Sequence, residues 1–288
     1  MKVAIVGPGR VGTLLAQVLP QAGHRVVAVV GGSPQAQDRF ASRVAGVRRT
    51  DLAQAADRAD LLLLCTPDPV VETVVRTLAA GDLVAPRHRV VHLAGSLGLS
   101  PLRLASLAGA GVAAIHPAQT VPDDAAVDAL QGAAWAVTAS ASDRGWAHDL
   151  VADFGGDPFD VRDEDRVRYH AALVLASNAV AAAVSAASQL LRAVHLQDPQ
   201  AFLGALAHRS VDNVLASGAA AITGPVVRGD VDTLARHLAA LDPALPELAE
   251  AYRHLQRAVV SQSAPGRDVS MTEALRASLA DPDQSVAP

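Results

Sequence analysis

The sequence predicts an α/β protein in which an N-terminal doubly wound parallel sheet is followed by an all-helical C-terminal domain. Residues 2–6 form a short apolar run rich in β-branched residues, and a glycine-rich turn follows it directly. Further short apolar runs alternate with helical patterns, whereas nothing beyond Arg162 resembles a strand. We therefore expect a nucleotide-binding domain over residues 1–155 and a helical substrate and dimerisation domain over residues 156–288.

In the first half, strands are predicted where apolar residues run together, and helices where apolar residues recur every three or four positions. The run at residues 61–65 is apolar throughout, which is typical of a central parallel strand. The predicted strands are residues 2–6, 25–30, 47–50, 61–65, 89–93, 112–115 and 133–138. The predicted helices are residues 11–19, 35–45, 51–56, 70–80, 102–108 and 143–154.

The turn after the first strand has the GxGxxG pattern, and each glycine has a physical reason. Gly7 permits the tight turn, Gly9 lets a pyrophosphate approach the backbone, and Gly12 lets the helix pack closely on the strand. The free N–H groups at the start of the following helix favour negative charge. This context favours a Rossmann dinucleotide site over an ordinary glycine turn. The predicted cofactor-binding turn is Gly7, Pro8, Gly9, Arg10, Val11 and Gly12.

The end of the second strand indicates which dinucleotide binds. NAD sites usually place an acid there, but this strand ends in Val30-Gly31-Gly32-Ser33-Pro34. Ser33 can donate to a 2′-phosphate, and Arg39 or Arg43 can reach it, so the predicted cofactor is NADP(H). Alternatively, Ser33 only caps the helix that begins at Pro34, and both arginines are solvated.

Ligands of open α/β sheets bind at the carboxyl ends of the strands. Polar residues follow three predicted strands at these ends. The predicted residues are Thr66, Pro67 and Asp68 for the cofactor, and His92, Ser96 and His116 for catalysis.

The second half is predicted to be helical. The segments are residues 163–194 as one helix or two, 198–216, 231–241, 245–261 and about 272–279, with a loop at 264–269 and a frayed tail at 281–288. Residues 171–191 are largely alanine and are predicted to form a buried helix. A membrane span is disfavoured, because Ser177, Asn178 and Gln189 interrupt the run.

Composition excludes several classes of protein. The net charge of −5 does not suggest a nucleic-acid partner. Cys65 is the only cysteine, so neither a disulfide framework nor a cysteine-based zinc site is expected, and no metal site is predicted. The sequence starts on a strand, which leaves no room for a signal peptide, so we expect a cytoplasmic protein. Lys2 is the only lysine and begins that strand, which argues against an active-site lysine.

Together these stretches resemble the Rossmann-like proteins with a C-terminal helical domain of unknown function. That family is related to pyrroline-5-carboxylate reductase, ketopantoate reductase and the 6-phosphogluconate dehydrogenase superfamily. The supporting stretches are residues 7–12, 66–68, 92–96, 116–117, 169–178 and 224–230. The resemblance implies a lysine followed four positions later by an asparagine. Asn178 matches that asparagine, but Val174 stands in the place of the lysine.

The resemblance makes an NADP(H)-dependent reductase of a small keto acid, ketopantoate-like, or of a cyclic imine the leading hypothesis. Such a reaction needs a proton donor, and histidine suits this task. We predict a site between the two halves formed by His92, Ser96, His116, His170 and Asn178. Each of these residues has an alternative role as a hydrogen-bonded structural residue. The alternative function is a non-catalytic dinucleotide-binding regulator or scaffold. We also expect a homodimer through the helical half, since its alanines allow close approach of helices.

Overall fold

The computed structural model describes residues 1–241, 245–263 and 268–280. The chain forms two compact units, Met1–Ala176 and Ser177–Pro288. The first unit contains the sheet, and the described part of the second unit is helical. The predicted tail at 281–288 and most of the predicted loop at 264–269 lie outside the described residues.

An eight-stranded sheet organises the first unit. Its strands are β1 (Lys2–Val6), β2 (Arg25–Val30), β3 (Arg48–Arg49), β4 (Leu61–Leu64), β5 (Arg89–His92), β6 (Gly111–Pro117), β7 (Ala134–Ala139) and β8 (Asp157–Asp160). They lie in the order β3-β2-β1-β4-β5-β6-β7-β8. Neighbouring strands from β3 to β6 are parallel. This is the Rossmann order, in which the ligand crevice opens at the carboxyl ends of β1 and β4.

The central strand is buried on both faces, as its apolar sequence predicts. All four residues of β4 have zero exposure. Leu61 and Leu63 pack into the core cluster that contains helix residues Leu14 and Leu15. The alternate residues Leu62 and Leu64 pack on the opposite face, so the sheet has helices on both sides.

The far edge of the sheet departs from the prediction. The strand β7 is antiparallel to β6, and β8 is parallel to β7, so the sheet is not parallel throughout. The apolar pattern of β7 indicates a strand but does not carry its direction. The strand β8 was missed because Asp-Pro-Phe-Asp has no apolar run; such a sequence is tolerated at a sheet edge.

The helices agree with the sequence prediction within a few residues. They are α1 (Arg10–Val18), α2 (Pro34–Arg43), α3 (Leu52–Arg58), α4 (Asp68–Ala80), α5 (Arg103–Leu107), α6 (Arg144–Asp153), α7 (Arg166–Val174), α8 (Val180–Ala193), α9 (Pro199–Ser217), α10 (Pro225–Arg228), α11 (Val231–Leu241), α12 (Pro246–Gln262) and α13 (Val269–Ser278). The short α10 was not predicted. A π-helical segment, Leu175–Ala179, joins α7 to α8.

The units divide later than the predicted boundary after residue 155. Pairing of β8 with β7 adds Asp157–Asp160 to the sheet, and the first unit continues to Ala176. The second unit has its own core, which is formed by Val226, Leu234, Leu238, Val260, Leu275 and Leu279.

The alanine-rich helix is exposed in the single chain, which contradicts the predicted burial. Leu175 is 68% exposed, and most of the other side chains of residues 171–191 are exposed or half-buried. Composition shows that this helix is apolar but not which surface covers it. Among the described residues, Asp163–Ala193 is also the one helix long and apolar enough to cross a membrane.

Candidate functional site

The glycine turn after β1 has the geometry that a phosphate cradle requires. Gly7 has a φ of +99°, and its N–H donates to the Val30 carbonyl at 2.9 Å. A side chain at Gly12 would collide with the Gly7 carbonyl. By contrast, a Cβ at Gly9 would lie 3.9 Å from its nearest neighbour, the Cys65 carbonyl oxygen. The fold therefore requires Gly7 and Gly12, whereas the space beside Gly9 is open for a ligand.

Beyond β2, the residues predicted to bind the 2′-phosphate already have protein partners. The Ser33 hydroxyl caps α2 by accepting from the Ala36 N–H at 3.2 Å, as the alternative interpretation expects. The Arg39 guanidinium pairs with Asp123 at 3.1 Å, and Arg43 donates to the Ala125 carbonyl at 3.4 Å. Both arginines thus face the segment that connects β6 to β7.

The turn after β4 and the loop after β5 meet through a hydrogen bond. The Ser96 hydroxyl donates to the Asp68 carboxylate at 3.2 Å, which brings two of the predicted site residues together. Pro67 occupies the N-cap position of α4 without a side-chain hydrogen bond, and Thr66 precedes it with a buried hydroxyl oxygen that has no partner among the described residues. A buried hydroxyl without a partner is unusual in folded proteins, and this one lies at the switch point of the sheet.

His92 holds the loop after β5, in place of its predicted catalytic role. Its Nδ1 accepts from the Ala94 N–H at 3.2 Å, and its Nε2 donates to the Gly98 carbonyl at 2.8 Å. The side chain is fully buried, and burial lowers the pKa of His92 to about 4. The neutral ring thus uses both nitrogens on backbone groups and leaves neither for a substrate.

Arg166 is a residue of the candidate site that the sequence analysis did not name. Its buried guanidinium donates through Nη2 to the Ala94 carbonyl at 2.7 Å and through Nε to the Leu97 carbonyl at 3.1 Å. The Nη1 atom is buried with no hydrogen-bond partner among the described residues. The guanidinium carbon lies 5.6 Å from the ring centroid of Tyr169. A positive charge is therefore fixed beneath the loop after β5.

His116 and Tyr169 form a hydrogen-bonded pair at the end of β6. The Tyr169 hydroxyl lies 3.0 Å from His116 Nδ1, and the rings meet edge to face. Burial, and then the positive charge of Arg166, lower the pKa of His116 to about 4. Burial raises the pKa of Tyr169. The Tyr169 hydroxyl has one proton and two acceptors, Nδ1 of the neutral imidazole and the His116 carbonyl oxygen at 3.4 Å. When it donates to Nδ1, the imidazole proton is on Nε2.

His170 joins this pair above Gly95. Its ring centroid lies 5.5 Å from that of His116. A Cβ built on Gly95 would lie 2.8 Å from His170 Nε2 and 2.9 Å from His116 Nε2. Any side chain at this position would displace one imidazole, so Gly95 allows both Nε2 atoms to approach the loop.

Asn178, the remaining residue of the predicted site, belongs to the second unit. It is exposed in the π-helical segment. Its catalytic role stays a prediction. Val174 is 40% exposed in the first unit, and the described residues contain no cluster of three or more groups able to hold a metal.

Comparisons with known families divide the chain into two regions. Residues 1–117 match a model described as a Rossmann-like domain. Residues 133–259 match a model described as a domain of unknown function, DUF2520.

One curated relative is the NAD(P)+ glycerol-3-phosphate dehydrogenase of Rhodopseudomonas palustris (strain TIE-1). It is 35% identical over 162 residues, which cover 52% of this chain and 48% of that protein. The chain therefore spans about half the length of this relative.

Two solved structures share the fold over most of the chain. A protein described as an NADP oxidoreductase from Bacteroides fragilis has a TM-score of 0.76 and 23% identity, with 90% of this chain and 97% of that chain covered. Pyrroline carboxylate reductase of Plasmodium falciparum, with NADP bound, has a TM-score of 0.60 and 12% identity, with 97% and 98% covered. At sequence identities this low, the structural similarity shows a shared fold and no more.

Proposed function

Because this chain belongs to the Rossmann-like proteins that carry a C-terminal DUF2520 domain, we propose that it is an NADP(H)-dependent oxidoreductase of a small keto acid or a cyclic imine. The resemblance inferred from the sequence is thus confirmed at the level of the family. The proposal for the reaction rests on one observation at the carboxyl edge of the Rossmann sheet. There, a neutral His116 is hydrogen-bonded to the Tyr169 hydroxyl.

The cofactor assignment follows from the turn after β1. The open space beside Gly9 and the free N–H groups at the start of α1 fit a pyrophosphate. The absence of an acid at the end of β2, together with the nearby arginines, favours NADP(H) over NAD(H). When bound, NADPH supplies the hydride.

The protein's own residues would supply the hydrogen bond and the proton. The His116 Nε2–H donates to the substrate oxygen or nitrogen, where negative charge develops during reduction. As that proton moves to the substrate, Nδ1 takes the proton of the Tyr169 hydroxyl, so the imidazole stays neutral. Burial disfavours the resulting tyrosinate, the charge of the nearby Arg166 guanidinium favours it, and solvent returns the proton afterwards. His170 provides a second polar group on the same side of Gly95.

The buried charge of Arg166 also bears on the class of substrate. Among the described residues, its contacts are two carbonyls and an aromatic ring. The Asp68 and Asp163 carboxylates interact with its charge but form no ion pair with it. The field of Arg166 therefore favours a negatively charged substrate near His116. Both a keto acid and pyrroline-5-carboxylate carry such a charge.

The test combines a binding variant with a substrate screen. Since the fold has room for a methyl group at Gly9, Gly9→Ala is expected to keep the wild-type melting temperature and to lose affinity for both NADPH and NADH. Calorimetry measures the binding, and absorbance at the nicotinamide band follows NADPH oxidation with ketopantoate or pyrroline-5-carboxylate. Gly145→Ala, at an exposed position with nothing within 4 Å, is the matched control.

Unchanged affinity in Gly9→Ala would remove the glycine turn from the site. Binding of NADPH without turnover of either substrate would favour the alternative function, a non-catalytic dinucleotide-binding regulator or scaffold.

We further propose that the protein is a homodimer that covers the exposed face of α8 and α9. Three large apolar side chains of α9 are strongly exposed in the single chain: Phe202 by 63%, Leu206 by 64% and Leu215 by 80%. Beside them, α8 and α9 line a groove of about 540 Å³ that contains Val184 and Leu203. An exposed apolar patch of this kind marks an interaction surface, and a second copy presents the same apolar face.

Light scattering at micromolar concentration is expected to give twice the chain mass. Leu206→Glu is expected to shift the protein to monomer, because a carboxylate would be buried without a partner. Leu107→Glu, at another exposed leucine outside the patch, is expected to stay dimeric. A monomeric wild-type protein, or one that sediments with lipid vesicles, would contradict the proposal.

A further inference from the structure

Asp123 is the shared partner of two arginines from different helices. Its Oδ1 atom lies 2.7 Å from Arg10 Nε and 3.1 Å from Arg39 Nη1. The Asp123 side chain is 56% exposed, so a solute can compete for its partners. The two arginines lower the pKa of Asp123, chiefly through the hydrogen bond from Arg10, and keep it ionised.

The two arginines belong to the elements that frame the proposed cofactor site. Arg10 is the first residue of α1 and lies inside the GxGxxG turn. Arg39 lies on α2, which begins at the Ser33 cap directly after β2. In a dinucleotide site, the adenosine ribose lies between these elements, and its 2′ substituent points at the end of the second strand. The pair is therefore a cation site at the edge of that position.

Asp123 is held in place by its neighbours along the chain. It lies on the connection between β6 and β7, which begins and ends at the carboxyl edge because these strands are antiparallel. Two residues later, Ala125 is buried in the core of the first unit, and its carbonyl accepts from Arg43 at 3.4 Å. The buried Ala125 therefore anchors the connection two residues from Asp123.

We propose that Arg10 and Arg39 form the subsite for the 2′-phosphate of NADP(H), and that Asp123 is a built-in competitor that sets the preference between NADP(H) and NAD(H). This inference rests on the proposed function. A 2′-phosphate carries up to two negative charges and needs the donors that the carboxylate occupies. Binding of NADP(H) must break the Asp123 contacts or place the two anions side by side, whereas binding of NAD(H) needs neither change. Asp123 is thus a specificity-determining residue: it reduces the extra affinity for NADP(H) over NAD(H) that the two arginines provide.

The decisive variant is Asp123→Asn, which keeps the size and an acceptor oxygen but removes the charge. One unit charge about 5 Å from a phosphate dianion in water is worth roughly a tenfold change in affinity. We expect Asp123→Asn to tighten NADPH binding about tenfold and to change NADH binding less than twofold, as measured by calorimetry. Adenosine 2′,5′-bisphosphate should follow NADPH, and 5′-AMP should follow NADH. Arg39→Gln should weaken NADPH without affecting NADH.

Asp124→Asn is the matched control. It makes the same change in net charge at the adjacent exposed position, and no hydrogen bond or ion pair of the Asp124 side chain occurs in the described part of the chain. An equal gain in both aspartate variants, equal gains for NADPH and NADH, or weaker NADPH binding in Asp123→Asn would each overturn the inference while leaving the proposed function intact. If no variant binds either dinucleotide, the proposed function fails as well.

Discussion

Replacing His116 with alanine is expected to lower kcat by about 100-fold to 1,000-fold on a verified substrate, with little change in NADPH affinity. The reason is that the Nε2–H would stabilise the negative charge that develops as hydride arrives, and removal of one such donor has costs of this size. Stopped-flow measurement of NADPH oxidation checks the expectation. Added imidazole should restore part of the rate, because the alanine leaves room for it beside Tyr169.

The pH profile separates this role from that of an ordinary acid catalyst. The pKa of His116 is about 4, so the residue is neutral through the range in which histidine acids usually titrate. The rate is expected to fall only as the pH approaches 4, where protonation of Nδ1 breaks the bond from the Tyr169 hydroxyl. Tyr169→Phe should lower the rate by about 100-fold, at the lower end of the range for a lost proton-transfer group. A rate loss with a midpoint near pH 6.5, or a wild-type rate in His116→Ala, would contradict the proposed proton transfer through His116 and Tyr169.

Replacing Arg166 with leucine is expected to destabilise the first unit by about 3–5 kcal/mol. The guanidinium is fully buried and satisfies two backbone carbonyls, those of Ala94 and Leu97, through charge-assisted bonds. Leucine fills much of the volume but leaves both carbonyls without donors, and each unsatisfied buried group costs about 1–3 kcal/mol. Urea unfolding measures the loss as a lower midpoint at unchanged slope.

The control for this variant lies one half-turn along the same helix. Arg168 is 88% exposed and lies 3.6 Å from Asp165, so Arg168→Leu should change the stability by less than about 1 kcal/mol. Equal unfolding midpoints for Arg166→Leu and the wild type would show that the buried guanidinium does not support the loop after β5.

Much of the fold was predictable because its strands are apolar and short. The run Leu61–Leu64 cannot be solvated, and the glycine turn after β1 specifies a strand on one side and a helix on the other. The direction of β7 was not predictable, since alternation of side chains is the same in both directions. The edge strand Asp157–Asp160 carries two acids and a proline, and only its pairing with β7 makes it a strand.

The candidate site was predicted less completely, because several of its contacts join residues that are far apart in the sequence. His116 and His170, which were predicted because they lie at a strand end and on an apolar helix, lie near each other, and their catalytic roles stay predictions. Arg166 was missed because it lies in a run of charged residues. The carbonyls that accept its hydrogen bonds belong to residues about 70 positions earlier in the chain. In the same way, Arg39 was predicted to lie near the end of β2, but its partner Asp123 belongs to a distant connection that no local pattern links to it.

The reversal of β7 has a consequence for how such proteins can diverge. Because β6 and β7 form a hairpin, the residues between them are a side branch of the parallel core, and no crossover helix depends on their length. Substitutions at exposed positions of this connection, such as Asp123, can therefore accumulate while β1, β4 and the phosphate turn stay unchanged. On the proposal above, the choice between two cellular pools of reducing power would then lie at an exposed position outside the parallel core. Related sequences would be expected to differ in coenzyme use more readily than in catalytic architecture.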